Sequence, residues 1–420
     1  MAQTQMQQPA MAACNRLIAM VERSLEMERK SRSASDDAIR VPWLRYALAQ
    51  LRQRICPALT AGWIEADPVH VVMFGGTNSG KSTVLNVLLG RAAAGMSYRA
   101  RFSQHPEAFR PDCSGNAFLD DYPTRFAGYE RYIDQDPPRR SDRELQETGY
   151  QYALAVIDPQ HRDGRALLPP AAGAAVFWDI PDFSTEEAMI YMPAVLDTIA
   201  LADLVVMTVT KENYADHRGN LLRAMICASG VPIRVVANKL EDGSHLLDDI
   251  RMKLADSDDG TCRIAADRLH PLPHVKDVSE QGRLQQLVQA TESADLRRAV
   301  GGDVATGTTL KKQALAGSIR FLERRLDDLL APLQAELAAA EHWHWLVERI
   351  TRNEFYERYR RDYLDGEKYV DFNQTLVKLL DLLEVPGIGP IISAASKGLR
   401  AISSAVFGSA INTVKGFFSK

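Results

Sequence analysis

The sequence is poor in cysteine, and its few cysteines form no ligand pattern. Its 420 residues include five, none of which belongs to a CxxC or CxxH pair: Cys14, Cys56, Cys113, Cys227 and Cys262. An odd, scattered set of this kind is typical of a reducing compartment. It predicts neither a zinc site nor a disulfide framework.

Long hydrophobic runs and a surplus of charge are also missing. No uncharged apolar run reaches the roughly 18 to 20 residues of a membrane-spanning helix. The first residues lack the basic and then apolar pattern of a secretory signal. Lys plus Arg number 50 against 54 Asp plus Glu, a formal net charge of −4, so DNA and RNA are not indicated as partners of the whole chain. We therefore expect a cytoplasmic protein.

The hydrophobic pattern changes twice along the chain, and this predicts its domain organisation. Residues 12–65 show helical periodicity twice, whereas short continuous apolar runs follow from about residue 67, as in parallel strands that are covered on both faces. These runs are 70–74, 174–178, 204–209, 233–237 and, more weakly, 272–275, and the stretch 97–173 predicts one or two strands. We expect an N-terminal helical segment (1–66), an α/β domain (67–300), a helical domain (301–384) and a distinct tail (385–420).

The most specific motif follows the first of these strands and opens a helix. It fits GxxxxGK[ST] without a mismatch and comprises Gly75, Gly76, Thr77, Asn78, Ser79, Gly80, Lys81 and Ser82, followed by Thr83. In such a loop the backbone N–H groups and the helix N-terminus surround a phosphate. Lys81 is expected to reach the β- and γ-phosphates, and the Ser82 hydroxyl to bind Mg²⁺.

Two later strand ends carry residues that complement this loop. Asp179 ends a buried strand in "VFWDIPDFST", where a carboxylate that holds Mg²⁺ is expected. Asn238 and Lys239 stand at the end of another buried strand in "VVANKLED". Together with the phosphate loop, these two motifs strengthen one another as parts of a nucleotide site.

GxxNxGKS, DxP and NKx[DE], in this order and each at a strand end, resemble the translation-factor-related class of P-loop GTPases. The "NSGKST" form is similar to the Era-like and dynamin-like bacterial branches. The resemblance covers about residues 67–300. It implies a three-layer α/β domain with a mostly parallel sheet, an all-α region built from both termini, GTP or GDP with Mg²⁺ as ligands, and a hydrolysis-driven switch. It also implies that Asp179 lies beside the Mg²⁺ and that Asn238 and Lys239 recognise the base.

The sequence departs from that class at the base and at the γ-phosphate. Glu241 takes the place of the base-binding Asp, with Asp242 one position later, so an ATP-using enzyme stays open as an alternative. Asp182 replaces the glycine whose N–H meets the γ-phosphate, and it is kept as a catalytic candidate beside Lys81 and Asp179.

Switch I and the position for the attacking water also differ. The magnesium-binding threonine of switch I has no clear counterpart, and Ser103 is the candidate metal ligand. Phe183 stands where many such GTPases carry a water-positioning Gln or His. The resemblance therefore implies slow hydrolysis unless a second protomer or an activating protein contributes. A nucleotide-stabilised scaffold with little turnover is the second alternative.

The last 36 residues contain four basic side chains and no acid. Drawn as a helix, they place Leu399, Ile402 and Val406 on one side, with Lys397 and Arg400 on the other. This pattern indicates attachment to anionic lipid at the inner face of the cell membrane. Docking on the helical domain stays open as the other interpretation.

Overall fold

The computed structural model describes residues 2–31, 37–95, 104–110, 122–156, 175–181, 183, 190–211, 217–240, 246–255, 264–275, 278 and 281–350. The chain divides into two compact units. The larger unit is Arg45–Arg325, and the smaller one is built from residues up to Leu44 and from Leu326 onward.

The smaller unit combines helices from both ends of the chain. It contains α1 (Ala2–Ser31), the first part of α2 (Asp37–Gln50) and the part of α12 (Gly307–Arg349) that follows Leu326. Arg23 Nη2 of α1 lies 3.4 Å from Glu336 Oε1 of α12, and Arg40 Nη1 of α2 lies 2.6 Å from Glu28 Oε1 of α1. Among the described residues, no helix combines the length and the apolar character needed to cross a membrane.

The larger unit is built on one eight-stranded sheet with the strand order β3-β4-β2-β5-β1-β6-β7-β8. Its strands are β1 (Val69–Phe74), β2 (Glu107–Arg110), β3 (Glu130–Ile133), β4 (Gln151–Val156), β5 (Ala175–Asp179), β6 (Leu204–Val209), β7 (Ile233–Leu240) and β8 (Leu269–Pro273). After α2 come a π-helical turn (Leu51–Ile55), α3 (Cys56–Ala58), α4 (Trp63–Ala66), α5 (Lys81–Leu89), α6 (Asp142–Thr148), α7 (Met192–Leu201), α8 (His217–Ala228), α9 (Leu246–Ala255), a 3₁₀ turn (Ala266–Arg268), α10 (Gln281–Gln289), α11 (Thr291–Ala305) and α12.

The predicted α/β class is confirmed: the strands form a mostly parallel sheet, and helices from both termini form the smaller unit. In the described sheet every neighbouring pair is parallel except β2 and β5. β1 lies between β5 and β6, and all three strands are buried along their whole length. Continuous apolar strands of this kind require helices on both faces of the sheet.

The stretch 97–173 holds more strands than the one or two predicted. Its described parts contribute β2, β3 and β4. β2 and β3 have four residues each and are only partly buried, so neither forms the continuous apolar run by which a central strand is recognised. The last strand also differs in position, because β8 is Leu269–Pro273 and not 272–275.

The cysteines also depart from expectation. Cys14, Cys56 and Cys227 are disulfide-bonded, which contradicts the prediction of a reducing compartment without a disulfide framework.

The helix that follows β1 is fixed in the core. Val84 and Leu88 of α5 pack in one apolar cluster with Leu284 of α10, Leu296 of α11 and Phe177 of β5. A fully buried apolar face holds α5 against the sheet, so the loop that precedes α5 has a fixed position.

Five charged side chains lie buried together where β1 and β6 begin. This buried charge cluster consists of Arg54, Asp67, Arg125, Asp203 and Lys311, each at most 5% exposed. Arg54 Nη1 lies 2.8 Å from Asp203 Oδ1, and Arg125 Nη1 lies 2.5 Å from Asp67 Oδ1. Lys311 Nζ of α12 contacts Asp67 Oδ2 at 2.9 Å and Asp203 Oδ2 at 3.2 Å. The cluster therefore joins the π-helical turn and α12 to the amino ends of the strands.

The buried charges keep both carboxylates of the cluster ionised. Burial alone would raise the pKa of Asp67, but the charges of Arg125 and Lys311 and the side-chain hydrogen bond with His70 hold that pKa well below its ordinary value. The same balance lowers the pKa of Asp203, through Lys311 and Arg54. Burial lowers the pKa of His70 to about 4. The neutral His70 accepts a hydrogen bond at Nδ1 from Trp178 Nε1 at 3.1 Å, and its Nε2 lies 3.4 Å from Asp67 Oδ1.

Candidate functional site

The predicted phosphate loop connects β1 to α5. Ser79 N donates to Gly76 O at 3.2 Å, and Val84 N donates to Gly80 O at 2.9 Å as the helix begins. Gly80 has φ 91° and ψ 32°, and Asn78 has φ 58°, a left-handed conformation that Asn tolerates better than most residues. The turn leaves the first N–H groups of α5 without intrahelical acceptors, and such a helix end binds anions.

Two glycines of the loop stand where no side chain fits. A Cβ on Gly75 would come within 2.5 Å of Thr208 O and 2.6 Å of Ser79 Oγ. A Cβ on Gly80 would overlap Asn238 Nδ2, at a positive φ that disfavours L side chains in any case. The loop therefore requires glycine at both positions, as a loop that approaches a phosphate closely does.

Polar side chains line the inside of this loop. Lys81 is buried, with 7% of its surface exposed, and its Nζ donates to Gly76 O at 3.3 Å. Ser79 is fully buried, and its Oγ has no hydrogen-bond partner among the described residues. An ammonium held at the loop and an orphaned buried hydroxyl fit a phosphate ligand, because an unpaired buried polar atom costs free energy that a ligand oxygen can relieve.

Two of the three predicted metal ligands, Ser82 and Asp179, are in contact. Asp179 ends β5 beside Met73 of β1, and Ser82 Oγ donates to Asp179 Oδ2 at 2.6 Å. A hydroxyl and a carboxylate are hard oxygen ligands of the kind that Mg²⁺ prefers. These residues therefore fit the ion that the resemblance implies. Among the described residues no group of three or more His, Cys, Asp or Glu side chains forms a separate metal site.

Asn238 and Lys239 reach the phosphate loop from β7. Asn238 Nδ2 donates to Ser79 O at 2.9 Å, and Lys239 Nζ donates to Asn78 O at 2.8 Å. Lys239 has φ 59°, which is uncommon outside glycine. The structure thus joins the predicted base-recognition residues to the predicted phosphate loop, across more than 150 residues of sequence.

Phe183 is part of the core. It is fully buried and stacks on Phe74 of β1 with a centroid distance of 5.3 Å and an interplanar angle of 10°. A ring in this position can neither donate nor accept a hydrogen bond, so it cannot orient a water molecule.

Glu107 is a residue of this region that the sequence did not indicate. As the first residue of β2, it stands opposite Asp179 in the antiparallel pair of β2 and β5. Burial raises its pKa to about 7, and the charges of Asp179 and Asp136 act in the same direction. The contact depends on strand register between distant segments, so no local pattern could have identified it.

Three predicted site residues, Ser103, Asp182 and Glu241, lie outside the described residues, as do Asp242 and the tail 385–420. Their roles stay predictions. The structure brings together the phosphate loop, Asp179, Asn238 and Lys239.

Comparisons with known proteins give only remote similarity. No family model matches the chain, and no curated protein matches it. Solved structures that match include two described as an oligomerised bacterial dynamin pair that senses and tethers membranes at long range. The first is 11% identical with a TM-score of 0.34, the match covering 96% of this chain and 76% of that one. The second is 10% identical with a TM-score of 0.33, the match covering 94% of this chain and 62% of that one. Similarity at this level assigns neither a family nor a function to the chain.

Proposed function

We propose that the chain binds GTP with Mg²⁺ at the loop Gly75–Thr83, hydrolyses it, and acts as a nucleotide switch on the helical region. The observation that carries this proposal is the contact of Ser82 Oγ with Asp179 Oδ2 at 2.6 Å, beside a loop in which no Cβ fits at Gly75 or Gly80. This arrangement supports the proposal, because triphosphate binding requires a phosphate site next to oxygen ligands for a divalent cation.

The residues of the loop have distinct roles in this proposal. The N–H groups at the start of α5 hold phosphate oxygens, and Lys81 Nζ exchanges its bond to Gly76 O for the β- and γ-phosphates. Ser82 and Asp179 hold the Mg²⁺, which supplies positive charge beside the β- and γ-oxygens. The N–H of Asp182 is proposed to meet the γ-phosphate.

Calorimetry against GTP, GDP and ATP with Mg²⁺ tests the proposal. Lys81→Ala should weaken triphosphate binding by roughly 100-fold, since charge-assisted hydrogen bonds contribute about 1.5–3 kcal/mol each. Arg298→Ala, which removes an exposed cation 77% accessible to solvent, is the control and should bind like the wild type. An unchanged affinity of Lys81→Ala for GTP would contradict the proposal.

For the base, we propose guanine, recognised by Asn238, Lys239 and Glu241. Both Asn238 and Lys239 donate to backbone carbonyls of the phosphate loop, and this supports the end of β7 as the element that would recognise the base. If Glu241 accepts the guanine N–H groups, Glu241→Ala should cost about 1–3 kcal/mol of GTP affinity and leave ATP affinity unchanged. Equal losses of affinity for both nucleotides, or a loss only in Asp242→Ala, would show that Glu241 is not the acid that binds the base.

The burial of Phe183 favours slow turnover. Because the ring packs on Phe74, the purified monomer should hydrolyse GTP slowly, and a second protomer or a protein partner should accelerate it. The same observation supports the second candidate, a nucleotide-stabilised scaffold with little turnover. Hydrolysis rates per molecule at increasing protein concentration separate a dimer-activated GTPase from the scaffold, because only the dimer-activated GTPase becomes faster.

We also propose that residues 385–420 attach the protein reversibly to the inner face of an anionic membrane. The support is compositional, with four basic residues and no acid among 36. We propose a peripheral location at the membrane and keep the cytoplasmic side as part of this proposal, although the disulfide-bonded Cys14, Cys56 and Cys227 argue against a reducing compartment.

A further inference from the structure

The edge of the sheet beside Asp179 carries a second carboxylate. β2 runs antiparallel to β5, with Glu107 opposite Asp179 and Ala108 opposite Trp178. Residues directly opposite in an antiparallel pair project from the same face, with Cβ atoms about 4.5–5.5 Å apart. The carboxyl groups of Glu107 and Asp179 therefore share one face of the sheet, at the end where β5 stops.

Asp179 is flanked on both sides at this point. β1 pairs with β5 on one side, with Met73 next to Asp179, and Ser82 Oγ from α5 donates to Asp179 Oδ2. β2 pairs with β5 on the other side and brings Glu107. Ser82, Asp179 and Glu107 thus come from three different elements and meet at one strand end.

The charge around Glu107 is unbalanced. Glu107 is only partly buried, and within the described part of the chain it forms no ion pair with a Lys or Arg, whereas Asp179 and Asp136 both add negative charge near it. Two carboxylates beside a phosphate site would repel a triphosphate. A divalent cation between them and the phosphates converts this repulsion into attraction, because the ion is the largest charge in such a site.

We propose that Glu107 is a further protein ligand of the Mg²⁺ held by Ser82 and Asp179. In this role Glu107 of β2 takes the place of Ser103, which the sequence analysis named as the candidate metal ligand. The inference rests on the proposed function, since it places the residue at the cation of the bound nucleotide. It makes binding more dependent on Mg²⁺ than a site with one carboxylate, because nucleotide binding without the ion leaves two carboxylates facing phosphate.

The test measures binding and does not depend on turnover. A fluorescent non-hydrolysable GTP analogue is titrated into full-length protein with Mg²⁺ and with EDTA, and Mn²⁺ affinity in the presence of the analogue is measured by electron paramagnetic resonance. Glu107→Gln should weaken Mn²⁺ binding by at least about tenfold, as loss of a group that supports a metal does. In Glu107→Gln, Mg²⁺ should also increase the affinity for the analogue by a smaller factor than in the wild type. In EDTA the variant should bind the analogue as tightly as the wild type, or more tightly. Glu147→Gln, an exposed acid on α6, is the matched control.

The outcomes separate this inference from the proposed function. If the wild type binds no nucleotide, the proposed function fails. If the wild type binds and Glu107→Gln has wild-type Mn²⁺ affinity, or if only Ser103→Ala lowers it, the assignment of Glu107 is overturned. An equal loss of nucleotide affinity with Mg²⁺ and with EDTA would show a structural role and would also overturn it. Partial recovery of Mn²⁺ affinity in Glu107→Asp is the expected positive result.

Discussion

At the scale of single residues, the buried charge cluster should make Asp203 costly to remove. Its carboxylate contacts Arg54 and Lys311 and accepts the backbone N–H of His70 at 3.0 Å. Asp203→Ala removes a carboxylate partner from two buried cations, Arg54 and Lys311. Removal of one member of a buried ion pair costs about 3–5 kcal/mol. We expect that loss in the free energy of unfolding of the protein, measured by urea denaturation.

An exposed ion pair of the same chemistry provides the control for Asp203. Asp295 Oδ1 lies 2.6 Å from Arg298 Nη1 on the surface of α11, with the side chains 55% and 77% exposed. Asp295→Ala should cost no more than about 1 kcal/mol, since solvent screens such pairs. Similar losses in the two variants would mean that the buried cluster contributes little beyond an ordinary surface contact.

His70 should make the protein less stable in mild acid. Its pKa rises from about 4 in the folded chain to its ordinary 6.5 on unfolding, so between these values the unfolded state binds more protons. Stability therefore falls as the pH is lowered through this window, by about 2 kcal/mol between pH 6.5 and pH 5 for this residue. His70→Gln, which keeps an acceptor for Trp178 and a donor for Asp67, should remove that part of the dependence.

Urea midpoints of the wild type and His70→Gln at pH 7 and pH 5 measure this effect. Other groups titrate in both proteins and cancel in the comparison. They include His105, whose pKa burial lowers to about 4, and Glu107, whose pKa is raised to about 7. Parallel pH profiles of the two proteins would show that His70 takes up no extra proton on unfolding.

The candidate site residues that the sequence indicated are those whose position is set by their immediate neighbours in the chain. Gly80, Lys81 and Ser82 belong to one continuous motif, and the position of Asp179 follows from a buried apolar strand just before it. Glu107 differs because its place opposite Asp179 depends on the register of an antiparallel pair formed by residues more than 70 positions apart. Local periodicity contains no information on such a register.

At the scale of elements, the close approach of α12 to the turn after α8 should not tolerate a methyl group. A Cβ on Gly317 would overlap Ser229 O and come within 2.9 Å of Gly230 Cα. The turn cannot easily yield, because Ser229 N donates to Met225 O at 3.1 Å and Ser229 Oγ lies 2.7 Å from Tyr46 Oη. Gly317→Ala should therefore destabilise the protein by about 1–3 kcal/mol, as overpacking does.

A second helical glycine, Gly302, provides a control in which the change in stability is expected to have the opposite sign. A Cβ on Gly302 of α11 would meet nothing within 4 Å. Gly302→Ala should stabilise the protein by about 0.5–1 kcal/mol, because Ala loses less backbone entropy in a helix. Thermal denaturation of the two variants should move the midpoint in opposite directions, and a shift upward in both would show that α12 does not pack closely at Gly317.

The elements that the sequence predicted best are those buried along their whole length. β6 was placed at its observed bounds, and β1 and β5 within one residue, because each is buried along its whole length and consists mostly of apolar residues. β2 and β3 were harder because their residues face solvent in part, and they owe their structure to pairing with β5 and β4. Such strands are specified by neighbours that a local reading of the sequence does not provide.

At the scale of the whole molecule, α12 connects the site-bearing unit to the helical one. It is one continuous helix whose first part belongs to the larger unit and whose later part belongs to the smaller. Its Lys311 belongs to the buried charge cluster and contacts Asp67 and Asp203, which lie where β1 and β6 begin. In the proposed switch, this helix is the covalent connection between the unit that carries the phosphate loop and the helical unit.

The proposed membrane contact should depend on the tail and on its charge. Four basic residues near an anionic surface contribute about 1 kcal/mol each, and apolar side chains such as Leu399 and Phe417 add burial, which together suffice for reversible attachment. We expect the full chain to co-sediment with anionic vesicles and less with neutral ones, and to be released by salt. A chain truncated after Glu384 should remain in the supernatant.

Charge and apolar burial can be separated within the same tail. Replacement of its four basic residues by Gln, at Lys397, Arg400, Lys415 and Lys420, keeps the apolar face and should abolish the preference for anionic over neutral vesicles. If the truncated and full chains sediment alike, the tail packs as a helix of the protein. Vesicle binding by the truncated chain would then require another surface of the protein. Trp343 and Trp345 of α12, which are 66% and 50% exposed, are the aromatic side chains to replace next.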